Sequence, residues 1–306
     1  MIDRFLITGI NGDIGQNICL ILREHFKNSF IIGCDICSYS FAQKIVDKLF
    51  IVQKATDNLY LETLKKIVDE HNISLIIPTS EAEIFVLNKH RENNNLLIPN
   101  TKSINIGLDK LLTIQFLRDN NLNHPWTKEI QEDCDLPCIY KPRKSCGSKG
   151  FVKIELTELK KLIKKTEKDG IWQELLCPSN EEYTCGVYRT KSKDIHTIII
   201  KRELLKGFTK SGIVINDKEI DNYLRQIALA LELQGSINIQ LIKTKDGPKA
   251  FEINPRFSGT VRFRHLLGFT DLIWAIQEKF NAVNTIEYHI QKNKKIIYRR
   301  FDDIIL

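Results

Sequence analysis

Residues 235–259, GSINIQLIKTKDGPKAFEINPRFSG, place several oxygen-bearing side chains at spacings that favour metal and phosphate chemistry. Alternation sets Ile237, Ile239 and Leu241 on one face of a strand and Phe251 and Ile253 on one face of a second, with a Lys-Asp-Gly turn between them. Pairing symmetric about Asp246 puts Gln240 opposite Glu252 and Asn238 opposite Asn254. Four oxygen donors then share the face opposite the apolar one, unless the register slips by a residue. Such a cluster suits a hard cation: magnesium takes oxygen ligands, keeps several waters and is commonly held by one or two protein groups plus substrate phosphates. The polar outer face of an exposed hairpin is the other reading of this pattern. Arg256 follows at once, after Pro255, and supplies a guanidinium able to grip phosphate oxygens bidentately. Upstream, Lys141 ends an apolar run just before a loop containing Gly147, Ser148 and Gly150, a composition suited to covering phosphates.

A second glycine cluster lies at the start of the chain, where ITGINGDIG (7–15) spaces Gly9, Gly12 and Gly15 as G-x-x-G-x-x-G. A glycine-rich turn between strand and helix is one way of bringing backbone N–H groups to a pyrophosphate. Asp35, ending the next strand, lies where an acid commonly binds ribose hydroxyls, so a nicotinamide-dependent oxidoreductase is a competing reading. The glycines have two open roles: close packing of strand on helix, or presentation of Asn11 and backbone N–H groups to an anionic acceptor.

The elements that must position these residues change rhythm along the chain. Up to about residue 100, strands at 4–10, 30–36 and 73–80 alternate with helices at 13–26 and 59–72, which predicts a parallel sheet with helices on both faces. An asparagine-rich stretch then marks a boundary, so residues 1–100 read as a Rossmann-like domain. Beyond it come helices at 109–120, 158–170 and 221–233, strands at 137–142, 171–176, 182–190 and 195–203, and the hairpin. The lysines of 158–170 read as a solvated helix face.

Composition narrows the classes. The chain has 306 residues, 42% hydrophobic and 27% charged, and no apolar run approaches the roughly 18 residues of a membrane span. The expectation is a cytoplasmic protein that engages neither membrane nor nucleic acid, since the net charge of +7 comes without an aromatic-interleaved basic stripe and suits a small anion such as a nucleotide. The first residues enter a strand with no secretory leader. Eight scattered cysteines read as reduced thiols, and Cys34 with Cys37 lacks a second pair at zinc-site spacing.

The chain resembles the ATP-grasp enzymes, and within them one synthetase unit of the carbamoyl-phosphate synthase large chain and related carboxylate–amine ligases. The likeness is carried, in order, by DK at 109–110, YKPRKSCGSKG at 140–150, QELL at 173–176, EEYTCGVY at 181–188, INIQ at 237–240 and FEINPRFSG at 251–259. The fold implied is a pre-ATP-grasp domain over 1–100 and an α+β ATP-grasp domain over 101–306, with a lid lobe at about 115–175 and a larger catalytic lobe at about 176–306. The cofactors implied are ATP and Mg²⁺, as one or two ions, with Mn²⁺ as a substitute.

The resemblance also implies roles. Lys110 and Lys141 hold ATP phosphates beneath Gly147, Ser148 and Gly150; Glu174, Leu175 and Leu176 receive adenine; Glu182 takes the ribose hydroxyls; and Asn238 lies with the nucleotide. Gln240, Glu252 and Asn254 hold magnesium, Arg256 neutralises the phosphoryl group in flight, and Arg202 assists. The blander alternatives are an exposed lysine at a helix start for Lys110, ordinary strand residues for 174–182 and an outward-facing arginine for Arg202. The implied chemistry is ATP-dependent activation of a carboxylate as an acyl phosphate, displaced by an amine with release of ADP and phosphate. A homodimer is the assembly suggested. The chain has one synthetase unit and no ammonia-supplying domain, which argues against carbamoyl phosphate as product, and Cys177-Pro178 replaces a glycine after the hinge. An ATP-binding protein without turnover is a third reading.

Overall fold

The computed structural model describes residues 3–37, 41–93, 95–145, 150–205, 208–281, 286–289 and 295–299. The chain opens with β1 (Arg4–Thr8), α1 (Asp13–His25), β2 (Phe30–Asp35), β3 (Lys48–Ile51), α2 (Tyr60–His71), β4 (Leu75–Ile77) and α3 (Glu81–Asn88). The four strands form a parallel sheet in the order β3-β2-β1-β4. Phe5, Leu6 and Ile7 on β1 are fully buried although they point alternately to opposite faces, as a parallel sheet covered on both sides requires. From α1, Ile18, Ile21 and Leu22 cover one face, each contributing roughly 1.5–3 kcal/mol of burial. The alternation in the sequence is therefore realised; β3, four residues with no apolar periodicity, escapes it.

The glycine-rich turn is a packing device. Gly9 has φ +60°, and a Cβ there would lie 2.6 Å from Thr79 Oγ1. One on Gly15 would lie 2.7 Å from the Gly9 carbonyl oxygen, so α1 closes on the turn only without a side chain at that position. Asp35 accepts hydrogen bonds from the backbone N–H groups of Asn11, Ile36 and Cys37, and the Asn11 amide donates to the Cys37 carbonyl oxygen. The carboxylate that the oxidoreductase reading needs for ribose thus holds the turn together.

The chain continues through α4 (Thr101–Gly107), α5 (Lys110–Asp119), β5 (Thr127–Glu129), β6 (Cys138–Pro142), β7 (Val152–Ile154), α6 (Thr157–Thr166) and β8 (Gly170–Glu174). Strands β5-β8-β6-β7 form an antiparallel sheet over a core of its own, with Tyr140, Ile154, Ile163 and Trp172. The helix read at 158–170 ends at Thr166, and Gly170 already belongs to β8. Its lysines are not all solvated: Lys160 is buried and donates to the Asp133 carboxylate and the Cys134 carbonyl oxygen.

The remainder comprises β9 (Glu182–Arg189), β10 (Ile195–Leu205), β11 (Phe208–Ile215), α7 (Lys218–Ala230), β12 (Gly235–Thr244), β13 (Gly247–Asn254), α8 (Val261–Leu266), α9 (Asp271–Lys279) and β14 (Ile296–Tyr298). The strands form one sheet, β13-β12-β9-β10-β11-β14. One core sets α5 and α7 against this sheet, through Ile114, Leu117, Leu224 and Ile227. Val261 of α8 and Leu272, Ile273 and Ile276 of α9 join the core of the N-terminal parallel sheet. Among the described residues no helix is long and apolar enough to cross a membrane.

Candidate active site

A cleft of about 280 Å³ lies between the β5–β8 sheet and the large antiparallel sheet. One wall carries Lys141 on β6 with Gln173 and Glu174 on β8; the other carries Glu182 on β9, Arg202 on β10, Gln240 on β12 and Glu252 on β13. Lys110 reaches it from the first turn of α5, and Leu175, Leu176 and Phe251 add apolar surface. Residues separated by more than a hundred positions in sequence, and read separately as phosphate, adenine, ribose and metal groups, therefore line one cavity.

The hairpin register explains how Glu252 reaches this wall. Asn238 pairs with Asn254 and Gln240 with Glu252, as the alternation predicts, but the turn is not centred on Asp246: Thr244 pairs with Gly247. A bulge between the two sections makes up the difference, with Leu241 opposite Ala250 and Phe251 left over. Phe251 consequently does not share the core face with Ile253; it turns into the cleft, where its ring lies 4.6 Å from Lys141 Nζ. Ala250 takes the core position. Without the bulge, the register of the turn would slip Glu252 off the face that Gln240 occupies.

The cations are held in different ways. Lys141 is buried, donates to Gln173 Oε1 at 2.8 Å and has a pKa pushed down to about 8, chiefly by burial and further by Lys110, against the opposing pull of Glu252 and Glu182. Lys110 is also buried and donates to the carbonyl and hydroxyl oxygens of Ser145, so the exposed-lysine alternative fails. Its helix begins there because Asp109 caps it, accepting from the N–H groups of Leu111 and Leu112, while Arg143 clamps the same carboxylate at 2.7 and 2.8 Å. Arg202 faces inward, paired with Glu182 and donating to Gln240 Oε1 at 3.1 Å. Glu174 is bound by Lys249 Nζ at 2.9 and 3.0 Å, which ties β8 to β13 across the cleft.

Other sequence-predicted residues lie elsewhere. Asn238 and Asn254 are buried and do not line the cleft; Asn238 Oδ1 accepts from Thr184 Oγ1 at 3.0 Å, and the amide nitrogens of both have no partner among the described residues. Arg256 borders a separate cavity and donates to Glu81 at 3.1 Å. Gly150 has φ +76° and is outside the cleft lining, and Gly147 and Ser148 fall outside the described residues. Among the described residues no cluster of three or more His, Cys, Asp or Glu side chains could hold a metal. The donor set on the cleft wall is one carboxylate, Glu252, with the amide oxygen of Gln240; Asn254, read from the sequence as a third ligand, does not line the cleft. This donor set fits an ion that also binds substrate phosphates and water, and does not make a protein cage.

Sequence reasoning missed Glu81, Gln173 and Phe251. Glu81 opens α3, and its pKa is raised by burial, with Arg256 and Lys110 opposing and nearby Glu252 reinforcing the shift. It therefore brings a carboxylate from the N-terminal unit toward Glu252. The available signal was Ser80-x-x-Glu83, a capping box at the carboxyl end of a parallel strand, where open α/β sheets place their ligands.

A family model described as an ATP-grasp domain matches residues 108–260, half of the chain and all of the cleft-lining strands. The chain belongs to the ATP-grasp family. A second model, a PylC-like N-terminal domain, matches residues 6–98. No curated protein matches the chain at a significant level. Among solved structures, N5-carboxyaminoimidazole synthetase from Staphylococcus aureus complexed with ADP is similar with a TM-score of 0.74 at 17% identity, covering 90% of this chain and 77% of that one. The carboxyaminoimidazole ribonucleotide synthase from Aspergillus clavatus complexed with ATP gives 0.74 at 12% identity, over 92% and 78%. L-amino acid ligase from Bacillus licheniformis gives 0.71 at 16%, over 91% and 75%. At these identities the likeness is one of fold, and the resemblance to the carbamoyl-phosphate synthase unit holds at the level of the ATP-grasp family.

Proposed function

We propose that this ATP-grasp protein is an ATP-dependent carboxylate–amine ligase. A carboxylate oxygen attacks the γ-phosphorus of ATP and the bond to ADP breaks; the amine nitrogen then attacks the acyl carbon, a C–N bond forms, phosphate leaves and the nitrogen loses a proton. The observation that carries this reading is the convergence of Lys110, Lys141, Arg202 and Glu252 on one cleft with an apolar end at Leu175 and Leu176. In the reading, residues 1–100 act as the pre-ATP-grasp domain, about 115–175 as the lid and about 176–306 as the catalytic lobe.

Lys110 and Lys141 bind phosphate oxygens, and residues 174–176 present backbone groups and apolar surface to adenine. Glu182 meets the ribose once its pairing with Arg202 is shared. Glu252 and Gln240 would hold Mg²⁺, which supplies neutralisation of phosphate charge. Arg256, paired with Glu81 and bordering the other cavity, is left out of the phosphoryl-transfer step. Such chemistry needs positioning and fixed charge and no protein nucleophile.

ADP release measured across amino acids, sugar acids and amines with Mg²⁺ tests the reading. Stimulation that requires a carboxylate and an amine together is expected, with hydroxylamine trapping the acyl phosphate as a hydroxamate. Glu252→Ala is expected to lower turnover by about 10²-fold or more while circular dichroism stays unchanged. Full activity in that variant would refute the metal assignment, and NADH binding without ATP binding would refute the ligase.

A further inference from the structure

A second cavity, of about 230 Å³, shares no lining residue with the nucleotide cleft. It sits where the N-terminal unit meets the large sheet, between the end of β4, the start of β12 and the last turn of α9. Its charged lining is Arg91, Arg189, Lys191, Arg256 and Lys279 against the single carboxylate of Glu278. That carboxylate is already committed, accepting from Tyr188 Oη–H at 2.6 Å and from the Lys191 backbone N–H at 3.1 Å.

Apart from Arg256, which Glu81 neutralises, no cation in this cavity has a carboxylate partner among the described residues. Arg91 donates to Asn88 Oδ1 at 3.1 and 2.8 Å and to the Pro99 carbonyl oxygen at 2.6 Å. Arg189 donates to the Leu233 carbonyl oxygen at 3.1 Å, and its Nε is buried with no partner. Lys191 donates to the Glu278 carbonyl oxygen and Asn281 Oδ1. The two guanidinium groups are therefore half-buried and fixed by neutral acceptors, with Glu232, itself paired with Lys102, as a more distant counter-charge to Arg189. Charges held this way cost free energy that a bound anion returns, without the rotamer entropy that free surface lysines would lose. The field is felt locally: burial first, then Arg91 and Lys191, lower the pKa of Lys279.

We propose that this cavity is a second anion site, which takes a phosphate or a small phosphomonoester between Arg91, Arg189, Lys191 and Lys279. Planar guanidinium forks match tetrahedral phosphate oxygens, and the two lysines close the mouth as point charges. Asn100, also on the wall, keeps one amide N–H beyond its bond to the Leu231 carbonyl oxygen, whereas the Ser236 hydroxyl is committed to Asp271.

The test is titration calorimetry with inorganic phosphate on the full chain saturated with Mg²⁺ and a non-hydrolysable ATP analogue, at constant ionic strength. One phosphate site is expected, weakened by about tenfold in Lys191→Gln/Lys279→Gln, with analogue affinity unchanged. Lys191→Arg/Lys279→Arg should retain phosphate. Both lysines are exposed, so the variants are expected to fold. Loss of phosphate binding in the presence of the analogue would overturn the proposal, because the anion would then be using the nucleotide cleft. Unchanged affinity in the double glutamine variant would overturn it too, and tighter binding of citrate than of phosphate would overturn the phosphate assignment.

Discussion

Lys141 concentrates the physical tension of the candidate site in a single side chain. Its ammonium is buried against Phe251 with one hydrogen bond, and its pKa of about 8 lies below the ordinary lysine value of roughly 10.4. The sign of the linkage follows. Between those two values the unfolded chain binds more protons than the folded one, so this group makes stability rise with pH across the window and fall as pH drops through about 8. Phosphate oxygens reverse the preference by favouring the charged form. ADP binding near pH 8 should then take up about half a proton, and close to one near pH 9, and affinity should fall as pH rises from roughly 7.5 to 9.5. Calorimetry in buffers of different ionisation enthalpy measures that proton, and Lys141→Met should abolish it. No proton uptake, with affinity flat over the range, would show that Lys141 does not meet the phosphates. Lys110 and Glu252 share the cleft, so each variant requires its own control.

The elements show why the site was partly legible and where legibility stopped. Alternation in 235–254 gives the strands and even the Gln240–Glu252 pair, because hydrophobic periodicity fixes which face is buried. It cannot give the Phe251 bulge, beside which the Ala250 N–H donates to Tyr223 Oη at 3.0 Å, a contact between residues far apart in sequence. Strands β5 and β7 are three residues each, too short to carry a period, and Glu81 comes to the site through the packing of another unit. Gly107 at the end of α4 is a further contact that spacing does not announce. A Cβ there would lie 2.6 Å from the Ile253 carbonyl oxygen and 2.8 Å from Pro255 Cδ, so α4 presses directly on the strand end that carries Asn254. Gly107→Ala should cost about 1–3 kcal/mol by urea unfolding and weaken ADP binding as β13 shifts. A variant of wild-type stability would mean that the helix end yields without disturbing the strand.

At the scale of the whole molecule, the distribution of cores predicts which parts unfold together. The parallel sheet shares its core with Phe257, Val261 and Ile276 of the C-terminal half, and ion pairs from Arg256 to Glu81 and Arg299 to Asp13 cross the same boundary. The β5–β8 sheet instead has a small separate core around Trp172. Truncation should therefore propagate in one case and remain local in the other. Ile276→Ala, at a fully buried site, is expected to cost about 2–5 kcal/mol and to increase amide hydrogen exchange in both β1 and α9. Ile163→Ala is expected to increase exchange across residues 127–174 alone, leaving β1 and β12 protected. Since Lys249–Glu174 joins that sheet to β13, saturating ADP and Mg²⁺ should slow exchange in β6 and β8 even in Ile163→Ala. Exchange mass spectrometry resolves the segments, and an Ile163→Ala effect that spread into β1 would show that the β5–β8 sheet is not a separate cooperative unit.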